Sequence, residues 1–191
     1  TETTVFGPFF VEGAPDVEMW ADIRGDAEGM PCYVSGSIRD IGGKPVASAL
    51  IDVWQGDGVE GLYDVQKTNG ASYCRAKVHT DEQGQFGFLT VQPISYPVPT
   101  DGPVGAMLLK MGRHPFRPAH VHTMISAKGF RPLTTHLFVA GDQYLDSDAV
   151  FGVKDSLIVN FERHDPGPTP DGRNSAEPFT TAHYDFVLAR A

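Results

Sequence analysis

AHVHTMIS (119–126) sets His120 and His122 against Ala119 and Val121, an alternation with the period of a half-buried β-strand. In a strand, residues i and i+2 share a face, so the two imidazoles project side by side. Outward from this stretch the same texture continues. CYVSGSIRD (32–40), ASALIDVW (47–54), YCRAKVHT (73–80), QFGFLTV (85–91), TTHLFVA (134–140), SLIVNF (156–161) and HYDFVLA (183–189) are further strand-like runs between Gly- and Pro-containing turns. Many short strands so punctuated predict an all-β fold, a β-sandwich with long loops and little helix. SDAVFGVKDS (147–156) has room for one short helix, and no amphipathic helix beyond two or three turns is legible. Two loop-rich stretches, 55–72 and 92–118, are long enough to suggest function.

With 191 residues and no linker, repeat or low-complexity tract, residues 1–191 are expected to form a single domain. A chain of this size buries enough surface to need neither a disulfide nor a structural metal for its core. The formal charge of −9 argues against a nucleic-acid partner, which needs Lys and Arg to neutralise phosphates. No apolar run is long enough to span a membrane, and TETTVFGPFF (1–10) lacks the basic end and apolar stretch of a signal peptide. Only two cysteines occur, Cys32 and Cys74, outside any CxxC, which suggests a reducing cytoplasm.

A lone HxH is as often a pair of ordinary strand histidines as a metal site. Of the seven histidines, His79, His114, His164 and His183 are scattered and read as structural or exposed. His136, one strand later, is a candidate third ligand, but neither HExxH nor a cupin-type Glu follows. Tyr63 in GVEGLYDVQ and Tyr96 in QPISYPVPTDGP lie in the two long loops. Singly, each would be a packing anchor. Together with HxH they suggest another role, because a phenolate is a hard anionic donor suited to Fe(III). Two phenolates and two neutral imidazoles would leave a ferric site with net charge near +1 and an open position, a suitable electrophile for an anionic aromatic diol.

GLYDVQ (61–66), DEQGQFGFLTVQPISYPVPTDGPVG (81–105) and GRHPFRPAHVHTMISAKGFRPLTTHLFVAGDQYLDSD (112–148) resemble the intradiol ring-cleavage dioxygenases, in the catechol and hydroxyquinol 1,2-dioxygenase branch. The likeness runs from TVFGPFF (4–10) through nearly the whole chain. It implies a mononuclear non-haem Fe(III), with Tyr63, Tyr96, His120 and His122 as ligands, Tyr63 and His120 equatorial and Tyr96 and His122 axial. It also implies a β-sandwich with the iron among loops between the sheets. Tyr96 would leave the metal and act as base toward the diol. Arg117, three residues before His120, would stabilise charge on the ring. The family's Gln is replaced here by His136, which departs from the pattern and is expected to hydrogen-bond the reacting substrate rather than ligate. VFGPFF (5–10) and YPVP (96–99) match segments that line the substrate pocket, and Phe6, Gly7, Phe9, Val98, Pro99 and Val150 are the pocket candidates, each of which also reads as a packing residue. The VFGPFF and LTTH segments lean toward hydroxyquinol over catechol or a chlorocatechol. The N-terminal helical domain usual in catechol-cleaving relatives has no counterpart in these residues, and a homodimer is expected for the full-length protein. Two rival readings are a metal-free, transthyretin-like binding sandwich and a zinc hydrolase; neither accounts for two loop tyrosines beside HxH.

Overall fold

The computed structural model of the chain describes residues 1–67 and 72–191; residues 68–71, within the predicted 55–72 loop, lie outside the described residues. Two main sheets face each other. The first contains β1 (Asp16–Val17), β3 (Leu50–Trp54), β4 (Arg75–His79), β8 (His120–Ser126), β9 (Leu133–Val139) and β10 (Ile158–Val159), in the spatial order β1-β4-β3-β8-β9-β10. The second is built on the long β2 (Pro31–Asp40), which pairs antiparallel with β5 (Gln85–Val91) along one edge. Along its other edge it pairs parallel with β14 (Phe179–His183) and then β15 (Phe186–Leu188). β11 (Phe161–His164) completes that sheet beside β14. Two short ribbons stand apart: β6 (Tyr96–Pro97) with β7 (Phe116–Arg117), and β12 (Gly167–Pro168) with β13 (Asn174–Ser175).

The sandwich core follows from strand parity. Ile51 and Val53 of β3, Ile125 of β8 and Leu133 and Leu137 of β9 point inward to meet Val34 and Ile38 of β2, Phe86 and Phe88 of β5 and Phe186 of β15. Residues of opposite parity, Trp54, His120, His122 and His136, therefore lie on the outer face of the first sheet. The implied position between the sheets is thus corrected: the imidazoles are among loops, but on the face turned away from the shared core. That face is kept dry by a second, smaller cluster in which Trp54, Tyr63 and Tyr96 pack with Phe9, Phe10 and Met124.

The strand runs were close in place, and their ends shifted for local reasons. ASALIDVW pairs only from Leu50, because Ser48 sits in the left-handed region (φ 54°) and turns the chain. SLIVNF is shared between the sheets, β10 pairing with β9 before the chain crosses to β11. HYDFVLA is broken between β14 and β15 where Tyr184 crosses Gly36 so closely that a Cβ there would lie 1.8 Å from the Tyr184 carbonyl oxygen. Two expectations are corrected. The 92–118 stretch contains a helix, α1 (Pro103–Lys110), entered at Pro103. It buries only Gly105 and Leu108 and leaves Val104, Met107 and Leu109 exposed, so it has no apolar stripe to read. In 147–156 the only helical element is the start of a 3-10 turn, Asp155–Leu157; left-handed Phe151 (φ 56°) prevents a continuous helix.

Candidate metal centre

Three adjacent strands bring three rings into line. In register, His122 of β8 lies opposite Trp54 of β3 on one side and His136 of β9 on the other. The indole stacks on the His122 imidazole with centroids 4.8 Å apart, and His136 lies edge-on to His122 at 4.1 Å. His120, one pleat along, stacks on His136 at 4.7 Å.

The tyrosines arrive from the loops. Tyr63 precedes a 3-10 turn, Asp64–Gln66, and its N–H donates to the Gln66 side-chain oxygen at 2.9 Å. Asp64 is held in turn by Arg75 of β4, whose Nε and Nη2 donate to its two carboxylate oxygens at 2.9 and 2.6 Å. Tyr96 opens the β6–β7 ribbon and pairs with Arg117, so a two-residue ladder places a phenol and a guanidinium together just before His120.

A chain of short polar contacts results. Tyr63 Oη lies 3.0 Å from Tyr96 Oη, Tyr96 Oη 3.5 Å from His120 Nε2, and His120 Nε2 3.1 Å from His122 Nε2. His120 Nδ1 is 2.6 Å from the Pro118 carbonyl, which can only accept. Nδ1 therefore carries the proton and Nε2 presents a lone pair, the arrangement of a metal-ligating histidine with its outer hydrogen bond already made. Arg117 Nη1 donates to that lone pair at 3.1 Å, and Nη2 reaches His136 Nδ1 at 3.4 Å. Burial drives all three imidazoles well below the ordinary histidine range, with the Arg117 charge contributing to each, so they are neutral at pH 7. Burial raises both phenols, for Tyr63 with the help of its neighbour Tyr96; Arg117 partly opposes the rise at Tyr96.

These residues suit a cation. His122 Nδ1 and His136 Nε2 are buried with no hydrogen-bond partner among the described residues. Donor atoms of His120, His122 and His136 all lie within 4.8 Å of one another. The nitrogens that face each other are His120 Nε2 and His122 Nε2, 3.1 Å apart, and a buried lone pair there costs free energy unless a hydrogen-bond donor or a positive centre satisfies it. Two phenol oxygens join the cluster, a hard donor set matched to a hard, highly charged ion. A bound cation would replace the Arg117–His120 hydrogen bond, freeing Nη1.

A family model described as "Dioxygenase" matches residues 5–190. The chain belongs to the intradiol dioxygenases. Hydroxyquinol 1,2-dioxygenase of Nocardioides simplex is 50% identical over 192 residues, covering 100% of this chain and 65% of that protein. 6-Chlorohydroxyquinol 1,2-dioxygenase of Cupriavidus pinatubonensis is 49% identical over 168 residues, 87% of this chain and 60% of that protein. The crystal structure of hydroxyquinol 1,2-dioxygenase from Pseudomonas putida DLL-E4 superposes with a TM-score of 0.92 at 45% identity, covering 100% of this chain and 67% of that one. The chain thus spans 60–65% of the length of these curated relatives.

Within this dioxygenase domain, the anticipated residues separate by distance from the donor set. Phe9 stacks on Tyr63 at 4.4 Å. Gly7 is left-handed (φ 79°) and so close to the site that a Cβ would lie 2.9 Å from His122 Cε1. Phe6 meets Trp54 edge-on at 5.7 Å and is partly exposed. Val98 and Pro99 continue the chain from Tyr96, half-buried and exposed respectively, and Val150 lies half-buried in the turn bonded to Arg117. Sequence reading missed Trp54, Phe10, the Asp64–Arg75 pair and Asp148. A tryptophan ending a strand-like run was visible, but its apposition to His122 depends on strand register. Among the described residues, no helix is long and apolar enough to cross a membrane.

Proposed function

We propose that this domain cleaves hydroxyquinol (benzene-1,2,4-triol) between two adjacent hydroxyl-bearing carbons with O2, giving a hydroxymuconate or maleylacetate-type diacid. One non-haem Fe(III) is held by Tyr63, Tyr96, His120 and His122. The observation that carries this reading is the unbroken series Tyr63 Oη, Tyr96 Oη, His120 Nε2, His122 Nε2, with steps of 3.0, 3.5 and 3.1 Å. When bound, ferric iron supplies a Lewis-acidic, redox-active centre for diol chelation and reaction with O2.

The chain's own groups do the rest. A diol hydroxyl must lose its proton on binding, and Tyr96 Oη, at the centre of the series, would receive it, being a phenolate once its own proton has been displaced by Fe(III). Arg117, buried and adjacent to both His120 and His136, sets a fixed positive charge where the ring gains electron density. His136 accepts from Arg117 at Nδ1, which leaves Nε2–H free to donate to the reacting substrate. Trp54, Phe9 and Phe10 form an apolar wall that excludes water. Phe6, Gly7, Phe9, Val98, Pro99 and Val150 border the ring. Hydroxyquinol is favoured over catechol because curated relatives named for the triol are 46–50% identical, whereas those named for catechol are 34–36% identical.

Residues 1–191 act as one domain, in keeping with a core cluster fed by both sheets. The full-length protein works as a homodimer in a reducing cytoplasm, a reading supported for the compartment by the free, buried thiols of Cys32 and Cys74. The test is a visible spectrum after Fe(III) loading, followed by turnover. A tyrosinate-to-iron charge-transfer band that shifts on anaerobic addition of hydroxyquinol, with one O2 consumed per diacid formed, is expected. A protein that stays colourless with Fe(III) overturns the metal reading in favour of a metal-free sandwich. Higher kcat/KM for catechol overturns the substrate assignment alone.

A further inference from the structure

We infer that Asp148 is the positioning residue for Arg117 and couples its aim to the turn carrying Val150. This rests on the reading above that Arg117 faces the reacting ring. Both side chains are buried. Asp148 Oδ1 accepts from Arg117 Nε at 3.2 Å and from the Val150 N–H at 3.3 Å. Its Oδ2 accepts from Arg117 Nη2 at 3.4 Å and from the Gly152 N–H at 2.8 Å. One carboxylate thus grips one edge of the guanidinium and closes the 148–152 turn at the same time. With that edge engaged, Nη1 is left directed at His120, and the remaining Nη2 bond goes to His136.

The turn is clamped from its other sides as well. Arg113 Nη2 donates to the Asp148 carbonyl at 2.8 Å, and Thr4 Oγ1 donates to the Gly152 carbonyl at 2.5 Å. Phe151 is held left-handed (φ 56°), a conformation a bulky side chain keeps only where its surroundings impose it. It lies exposed, with the Arg113 guanidinium 3.9 Å from its ring centroid. A rigid turn is what a carboxylate needs in order to orient an arginine. Because Val150 belongs to the same turn, Asp148 sets charge placement and one wall of the substrate site together.

The test uses Asp148→Asn, which keeps the shape and removes the charge. In ferric protein, iron content and the visible band should be unchanged, while kcat falls about tenfold or more and KM moves little, as for loss of a transition-state electrostatic contact. The hydroxyquinol-to-catechol ratio of kcat/KM should also change. In an Arg117→Gln background, Asp148→Asn should cause little further loss, since both act through one group. A readout without turnover is the Arg117 Nε–H resonance, assigned by its loss in Arg117→Gln. It should be protected from exchange in the wild type and exchange much faster in Asp148→Asn. Gly152→Ala serves if Asn does not fold: its Cβ would lie 3.0 Å from Arg117 Nη2, crowding the fork without removing a bonding group. Additive losses in the double variant, or an unchanged Nε–H exchange rate, overturn the assignment. If the wild type cleaves no diol, the proposed reaction fails, and Nε–H exchange alone decides the role of Asp148.

Discussion

Replacing Asp64 by Asn should destabilise the fold by about 3 kcal/mol, through a charge left buried beside the tyrosine pair. The carboxylate accepts two bonds from Arg75, at 2.9 and 2.6 Å, with side chains only 3% and 7% exposed. Charge-assisted bonds of this kind contribute roughly 1.5–3 kcal/mol each. Asn keeps one acceptor oxygen but loses the negative charge, so one bond and the compensation of the guanidinium are forfeited together. The damage should reach the site. Arg75 Nη2 also donates to the Phe9 carbonyl at 2.9 Å, and Phe9 is the ring stacked on Tyr63. The assay is urea unfolding followed by tryptophan fluorescence. With a slope of about 2 kcal/mol per M, the midpoint should fall by about 1.5 M. The double variant Asp64→Leu/Arg75→Met should recover most of the loss, because an apolar pair of similar volume has no charge to compensate. A single variant whose midpoint moves by less than about 0.3 M, or a double variant as unstable as the single one, would refute the reasoning.

Asp52, opposite Lys77 on β4, is pushed up to about 6 by burial, and its Oδ1 has no partner. A carboxyl raised above its unfolded value of 3.8 favours the protonated folded state, so its stabilisation is full below that value and is lost as pH rises through about 6. Thermal melts should show the wild type losing about 1–2 kcal/mol between pH 4 and 7 relative to Asp52→Asn; parallel pH profiles would count against this. Gly7→Ala places a left-handed Cβ against His122, which the stacked indole prevents from retreating. It should cost about 2 kcal/mol and weaken iron retention; an unchanged melting temperature and iron stoichiometry would show that the 4–10 segment moves aside freely. Tyr63→Phe and His122→Ala should each lose iron or nearly all ring cleavage, whereas His136→Gln should keep the iron and its colour. Normal turnover in either of the first two defeats the ligand set, and a colourless His136→Gln makes His136 a ligand.

Local chemistry made much of the strand content readable. The runs 119–126, 85–91 and 134–140 located β8, β5 and β9 nearly to the residue, because each is a short run of strand-forming residues bounded by turn residues; both faces of all three strands are nonetheless largely buried. The helix α1 was not readable, since most of its apolar residues face outward and leave no periodic signal. The donor residues stood out as types: two histidines sharing a face, and two tyrosines in Gly- and Pro-rich loops. Trp54 and Asp148 did not, because nothing in IDVW or LDSDAV distinguishes a stacking partner or an arginine anchor from ordinary strand and turn residues.

By itself, then, the sequence determined an all-β chain, a net charge of −9, and which side chains offer donors of the type that suits a ferric ion. These follow from periodicity, charge and donor type, all properties of near neighbours. Only the tertiary structure decided that the imidazoles lie on the outer face of the first sheet, that Trp54 and His136 flank His122, and that one carboxylate at Asp148 holds both Arg117 and the Val150 turn. Those depend on strand register and on loops meeting across 30 or more residues of chain, as Tyr63 meets Tyr96 with a separation of 33 and Arg117 meets Asp148 with one of 31. Such pairings are set by packing of the whole domain, and no local pattern encodes them.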